Sequence, residues 1–338
     1  MDLARIYDPV REDLDVVSRL LHDELSADDP FIGQLVAHVL HTRGKLVRPA
    51  LVCLSARACG GGSGARMDVA GAVELIHVAS LIHDDVIDAA AVRRGQASVN
   101  AIWGNQVAVL LGDYLFSKAF HMLARLHSPD LAAAVAGATV KMSQAEIKQI
   151  KHGNTPHTDE AIHFDIIEGK TAQLFSAACR CGAITAGAHD REAAALSEFG
   201  LEWGMAFQIT DDALDLTATP DQVGKPIGSD IQTGKVTLPI IFALATAPAP
   251  DRRRLRELID GAGLPNPGPG GGSKREDGPP GPAEEVGEIL SRCGAIAHAL
   301  GVAKARAERA AASLGRLRRS PARDSLAALV EFVTIRSR

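Results

Sequence analysis

The chain has 338 residues, of which 46% are hydrophobic and only 4% aromatic, and its formal net charge is −5. That is enough apolar material for a large core, the scarcity of aromatics favours helices over sheets, and the lack of a basic block argues against nucleic-acid binding. Five cysteines without a CxxC pair (Cys53, Cys59, Cys179, Cys181 and Cys293) suggest neither a disulfide framework nor a structural zinc site.

The N-terminus (Met1, Asp2, Leu3, Ala4, Arg5) does not read as a signal peptide. No unbroken run of about 18 apolar residues occurs, so no transmembrane segment is expected and the expected location is cytoplasmic. Helical periodicity begins at 10–25, with Val10, Leu14, Val17, Leu20 and Leu21 on one stripe. It continues at 29–42 and 45–60, ending in the glycine cluster from Gly60 to Gly64. Residues 67–90 predict a long apolar helix with carboxylates at its far end. Helices at 104–127 and 130–152 follow, the latter closed by His152, Gly153, Asn154, Thr155 and Pro156. Thr158, Asp159 and Glu160 open another helix with acids in its first turn. Further helices are predicted at about 163–187, 190–218 and 235–246, and strand alternation is weak throughout. Residues 261–282 are mostly glycine and proline and predict a flexible insertion. Glu284 to Arg338 read as helices of the same bundle. The expectation is an all-α, single-domain helical bundle spanning 1–338.

One motif occurs twice. Asp84, Asp85 and Asp88 form the first copy, and Asp211, Asp212 and Asp215 the second. Carboxylates at i and i+4 share a helix face and destabilise it unless neutralised. The flanks are apolar (Leu81 and Ile82; Ile209 and Leu214), which raises the cost of unpaired charge. A single triad would read more readily as a solvated acidic patch. Two in apolar helical settings read as a site for hard divalent cations, which bridge carboxylates to substrate phosphates. All six aspartates are candidate metal ligands.

Cations accompany the triads. Arg93 and Arg94 follow the first, and arginine suits bidentate phosphate contact. Lys170 and Thr171 lie mid-chain. Lys225 and Lys235 flank a loop after the second triad, and Lys45 and Arg48 share a helix face near the N-terminus. Any one of these alone would pass as a surface charge, and His77 alone as a buried core histidine; the joint pattern is what carries information.

Together the residues resemble the trans-prenyltransferase family, the polyprenyl diphosphate synthases. The resemblance runs nearly end to end: GKLVRP at 44–49, ELIHVASLIHDDVID at 74–88, RRG at 93–95, LLGDYLF at 110–116, GKTAQLF at 169–175, GMAFQITDDALD at 204–215 and GKPIGSDIQTGKVTLP at 224–239. It implies an isoprenoid-synthase bundle with a deep central cavity, acting as a homodimer. It also implies magnesium-dependent, head-to-tail condensation of isopentenyl diphosphate with an allylic prenyl diphosphate. Asp84 and Asp88 would bind two magnesium ions with Asp85 in support, and Asp211, with Asp215 nearby, a third. Arg93, Lys170, Gln208, Lys225 and Lys235 match positions gripping the allylic diphosphate. Lys45, Arg48, His77 and Arg94 match the isopentenyl diphosphate site. Thr171 and Gln208 match polar residues near the developing cation. Ala145 stands where the family often has glycine, before Glu146.

Ala79 and Ser80 lie five and four positions before Asp84, where bulky aromatics limit chain growth in the family. Small residues there imply a long all-trans product of about six to nine isoprene units, an extended unit being comparable to one helical turn of about 5.4 Å. The floor would lie several turns below, with Phe116, Phe120, Met122 and Met142 as candidates. The alternatives are a geranylgeranyl or farnesyl diphosphate synthase, a class I terpene cyclase, and a non-catalytic regulatory subunit. Because long products are lipids, their release is expected to involve peripheral membrane contact.

Overall fold

The computed structural model describes residues 2–41, 44–152, 159–216, 235–262 and 282–335. Lys225 and most of the glycine- and proline-rich stretch of 261–282 lie outside these residues. The described chain is helical apart from one short hairpin. The N-terminal elements are α1 (Leu3–Ile6), α2 (Arg11–Glu24), α3 (Pro30–His41), α4 (Val47–Ala58) and α5 (Ala65–Ile87). The hairpin, β1 (Val92–Arg93) and β2 (Gln96–Ala97), leads to α6 (Val99–Trp103), α7 (Asn105–Arg125) and α8 (Pro129–His152). Then come α9 (Glu160–Ile167), a π-helical turn (Glu168–Ala172), α10 (Gln173–Thr185) and α11 (Asp190–Asp215). The remainder is α12 (Leu238–Thr246), α13 (Ala249–Ala262), α14 (Pro282–Arg292), α15 (Ala295–Ser313) and α16 (Pro321–Ile335).

Helix α5 packs against α7, α4 and α2, while α10 packs between α4, α8 and α11. Alanine and glycine let the helices approach closely. A side chain at Gly200 would put its Cβ 2.5 Å from the Phe175 carbonyl, and at Gly204 2.8 Å from the Ala172 Cα. These two glycines stand four apart, on the stripe that continues to Gln208 and Asp212. Larger residues at 200 and 204 would push α11 off α10 and the π turn.

Beyond helices α1, α6 and α13, which the sequence reading does not place, the structure departs from it in three places. The helix predicted at 163–187 is interrupted by the π turn, which leaves no apolar-period signature in the sequence. A two-residue hairpin turn, Arg94-Gly95, with φ of 50° and 77°, joins β1 to β2 where no strand was expected. Finally, α7 is long and apolar enough, by length and composition, to cross a membrane. No unbroken apolar run marks it in the sequence, because Asp113 and Lys118 interrupt the stretch. In the fold α7 buries Ala108, Leu111, Leu115, Ala119 and Met122 and leaves Val109 and Leu110 outward.

Asp13 ties three helices. Its buried carboxylate accepts from Arg57 Nε at 2.8 Å and Arg66 Nη2 at 2.9 Å, joining α2 to α4 and α5. Burial alone would raise this carboxyl, but the two guanidinium contacts more than offset it and hold it below the usual carboxylate range. Its stabilisation is therefore complete above about pH 4, the ordinary value, and is lost as pH falls through the lower folded-state value. Asp13→Asn is expected to cost about 2 kcal/mol in urea unfolding at neutral pH. That is below the loss for a fully buried pair, because the Arg57 side chain is 37% exposed and can rehydrate. The gap between variant and parent should shrink as the solution is acidified; a gap independent of pH would contradict this account.

Candidate active site

The two triads sit at the C-terminal ends of α5 and α11, and each is built in the same way. Its middle aspartate is buried and held by protein groups. Asp85 accepts from Arg93 Nε at 2.6 Å. Asp212 accepts from Gln208 Nε2 at 2.7 Å, and its other oxygen lies 3.8 Å from His163 Nε2. The flanking aspartates lie on the other side of each turn: Asp84 and Asp88 are partly buried beside lysines, Asp211 is exposed and Asp215 half-buried. Of the six carboxylates that the sequence suggested as ligands, Asp85 and Asp212 are the two buried against protein partners.

Lysines meet the outer pair of the first triad. Lys235 Nζ is 2.9 Å from Asp88 Oδ2. Lys170 Nζ lies 3.5 Å from Asp84 and 2.5 Å from Glu146 on α8. Burial pushes the Asp84 carboxyl above the usual carboxylate range; Lys170 opposes this, while Glu146 and Asp88 add to it. The π turn brings Lys170 and Thr171 here, since the extra residue rotates them relative to a regular helix. It seats against α8 at Gly169, where a Cβ would come within 2.7 Å of the Ala145 Cβ. Thr171 then donates to Gln208 Oε1 at 2.8 Å. The π turn and both triads are therefore joined through Lys170, Thr171 and Gln208.

The carboxylates supply oxygen donors only, which suits a hard divalent cation. Among the described residues no three acidic, imidazole or thiol groups converge closely enough to form a complete cage. An ion held here would share its ligands with water and a bound anion, as magnesium commonly does.

A second cationic group lies beside the first. Arg48 stacks over the Phe175 ring at 4.2 Å, and its buried Nε makes no hydrogen bond. Burial pulls its pKa down to about 10, with Glu74 opposing and Arg94 adding to the effect. The Arg94 guanidinium lies against Gly44, where a Cβ would be 2.8 Å from Nη2. Holding a non-glycine residue at positive φ carries a backbone cost, and here that conformation brings the hairpin tip to the GKLVRP segment. His77 is held well below its ordinary pKa by burial and by Arg48, Arg94 and Arg93. Lys45 is exposed at the rim. Cations gathered around an imidazole held low in pKa make a setting that favours a nearby anion.

Sequence reasoning did not assign roles to Glu146, His163 and Glu74. Each is a single residue in an otherwise ordinary helix, with no spacing signal. Of the chain-length candidates, Ala79 is completely buried, whereas Ser80 is half-buried with its hydroxyl turned onto the His77 carbonyl at 2.8 Å. Phe116 stands beside His83, ring centroids 5.8 Å apart, at the height of the triad and well above the expected floor. A separate groove of about 570 Å³ lies between α15 and α16, with Thr210, Ala307 and Val330 in its walls.

Comparison with known proteins agrees with this arrangement. The family model described as Polyprenyl synthetase matches residues 29–264. Octaprenyl diphosphate synthase of Haemophilus influenzae is 34% identical over 97% of this chain and 94% of its own. Heptaprenyl diphosphate synthase component 2 of Bacillus subtilis is 32% identical over 98% and 90%. The crystal structure of a polyprenyl synthase from Caulobacter crescentus CB15, complexed with calcium and isoprenyl diphosphate, superposes with a TM-score of 0.89 at 30% identity, covering 100% of this chain and 98% of that one. With the sequence, the fold and the paired triads in agreement, the chain belongs to the polyprenyl synthetase family of prenyltransferases.

Proposed function

We propose that the protein is a magnesium-dependent trans-polyprenyl diphosphate synthase that adds isopentenyl diphosphate units to an allylic prenyl diphosphate until the product has about six to nine isoprene units. One observation carries the reading: two aspartate triads, each with its middle carboxylate tied down, stand beside a separate cluster of cations. This supports one site for a metal-bridged diphosphate and another for a metal-free one. The names of the similar synthases, octaprenyl and heptaprenyl, support a medium or long product.

Asp84, Asp88, Asp211 and Asp215 are the residues that would hold the ions; the Caulobacter polyprenyl synthase was crystallised with calcium and isoprenyl diphosphate. When bound, about three magnesium ions per site would act as Lewis acids on the departing diphosphate. Lys170 and Lys235 leave their carboxylate partners for the allylic diphosphate, joined by Arg93 and Lys225. Arg48, Arg94, Lys45 and His77 hold isopentenyl diphosphate, placing its double bond next to the allylic carbon. The allylic carbon–oxygen bond breaks, a new carbon–carbon bond forms, and a proton leaves to the released diphosphate. Thr171 and Gln208 aim oxygen dipoles at the developing positive charge, a preorganised electrostatic contribution. Apolar walls exclude water, which would otherwise trap the cation.

The reaction is tested with purified protein, magnesium, labelled isopentenyl diphosphate and a series of allylic primers. A metal-dependent ladder ending at one long product is expected, and Asp84→Ala should lower the rate by roughly 10²–10³-fold or more. Ser80→Phe should shorten the product, because position 80 keeps some exposure. Ala79→Phe should lower the melting temperature, because an added ring overpacks a filled site. A ladder ending at twenty carbons or fewer would overturn the long-chain reading. Cyclic hydrocarbon would point to a cyclase, and no extension at all to a regulatory subunit.

The second diphosphate site is tested through His77. In the protein alone its imidazole should remain neutral through the ordinary histidine range near pH 6.5. Added isopentenyl diphosphate should raise its pKa by neutralising the surrounding arginines. Nitrogen chemical shifts read both, and a pKa indifferent to the ligand would place the second diphosphate elsewhere.

The outward faces of α7 and α8 support self-association. Leu110 is 66% exposed, Ile147 67% and Ile150 61%, and large apolar side chains grouped outward are the material of protein–protein contacts. Light scattering should give twice the chain mass, and Leu110→Glu should give the monomer. A monomeric parent chain would favour a different partner subunit, in keeping with the name component 2 carried by the Bacillus relative.

A further inference from the structure

The last turn of α5 is held from four sides. Asp84 meets Lys170, Asp85 meets Arg93, Asp88 meets Lys235, and His83 crosses to α7. In the proposed reaction the first three contacts involve groups that also serve metal or diphosphate. His83 alone of the four engages neither, so its contact persists whatever is bound.

That contact is closely fitted. The imidazole fills a notch over Gly112, where a Cβ would lie 2.1 Å from Nε2 and 2.5 Å from Cδ2. Nε2 stands 3.1 Å from the Val109 carbonyl, so this nitrogen carries the proton and donates, and the Asp113 carboxylate is 3.6 Å away. The ring also packs against Phe116. A carbonyl acceptor, a backbone without a side chain and an aromatic neighbour together fix one ring orientation. Because His83 directly precedes Asp84, fixing the ring also fixes the rotation of the helix end about its axis.

We infer that His83 is a positioning residue for the first triad. Seated on Gly112, it sets the direction in which Asp84 and Asp88 point when Lys170 and Lys235 turn to substrate. The inference rests on reading these carboxylates as metal ligands. A displacement of about 1 Å in such a constellation can cost roughly 100-fold in rate.

Manganous ion is the probe, its binding to the full chain followed by electron paramagnetic resonance with an unreactive allylic thiodiphosphate present. His83→Ala should weaken manganese binding about 10-fold or more, the usual effect of removing a group that orients a ligand. The KM for isopentenyl diphosphate should stay unchanged. His83→Gln, whose amide nitrogen can reach the place of Nε2, should restore most of the affinity. Gly112→Ala should reproduce the defect from the opposite helix by displacing the ring. The double variant H83A/G112A should be no worse than H83A, since no ring remains to displace. Unchanged manganese affinity in H83A overturns the inference. So does an equal loss of metal and isopentenyl diphosphate affinity accompanied by a lower melting temperature, or an additive double variant. Asp84→Ala is the control for the underlying reading: if it keeps manganese, the metal assignment falls and this inference with it.

Discussion

The fold is organised around an electrostatic conflict. Carboxylates at i, i+1 and i+4 on two helices must coexist with arginines and lysines inside an apolar bundle, where unpaired charge is costly. The buried middle aspartates meet partners close by in sequence, Arg93 for Asp85 and Gln208 for Asp212. The outer aspartates of the first triad meet lysines instead. A lysine is a compact point charge on a flexible stem and can exchange a carboxylate for a phosphate. This division separates the carboxylates seated in the fold from those left beside exchangeable cations.

Placing these groups requires backbones to approach closely, and that is the work of small residues. Gly200 and Gly204 bring α11 onto α10 and the π turn, so that Gln208 and Asp212, one and two turns further along the same stripe, reach Thr171 and His163. Gly169 does the same for the π turn against α8. A side chain at any of these positions would separate Lys170 from Asp84 without altering either residue. The charged groups therefore depend on packing several residues away from them.

The triads and the long helices were legible in the sequence because their signals are local: i, i+4 spacing for Asp84 and Asp88, and 3.6-residue periodicity for α2, α5 and α11. What could not be read depends on contacts between distant segments. The π turn shifts register within a helix whose apolar pattern looks continuous. Arg94 is expected in a substrate site, but its positive φ and its contact with Gly44 leave no mark in the sequence. His163 and Glu146 meet Asp212 and Lys170 only through the packing of α9 and α8. Asp13, which joins three helices, is a lone acid in an amphipathic helix, and its partners are 44 and 53 residues away.

Chain length depends on the same long-range geometry. Helices α5 and α7 run antiparallel, with His83 opposite Gly112 and Gly71 opposite Met122, whose Cε would lie 2.9 Å from a Cβ at Gly71. Asp84 stands thirteen positions after Gly71, a rise of about 20 Å, or roughly four extended isoprene units at about one helical turn each. A product of six to nine units outreaches that stretch. Phe116, at the height of His83, is too close to the first triad to end such a chain, and even Met122 stands where about four units would finish. Growth to the proposed length therefore requires the tail to pass the level of Met122, and the residue that stops it must lie beyond that level, away from the motif-bearing turns that made the rest of the site legible.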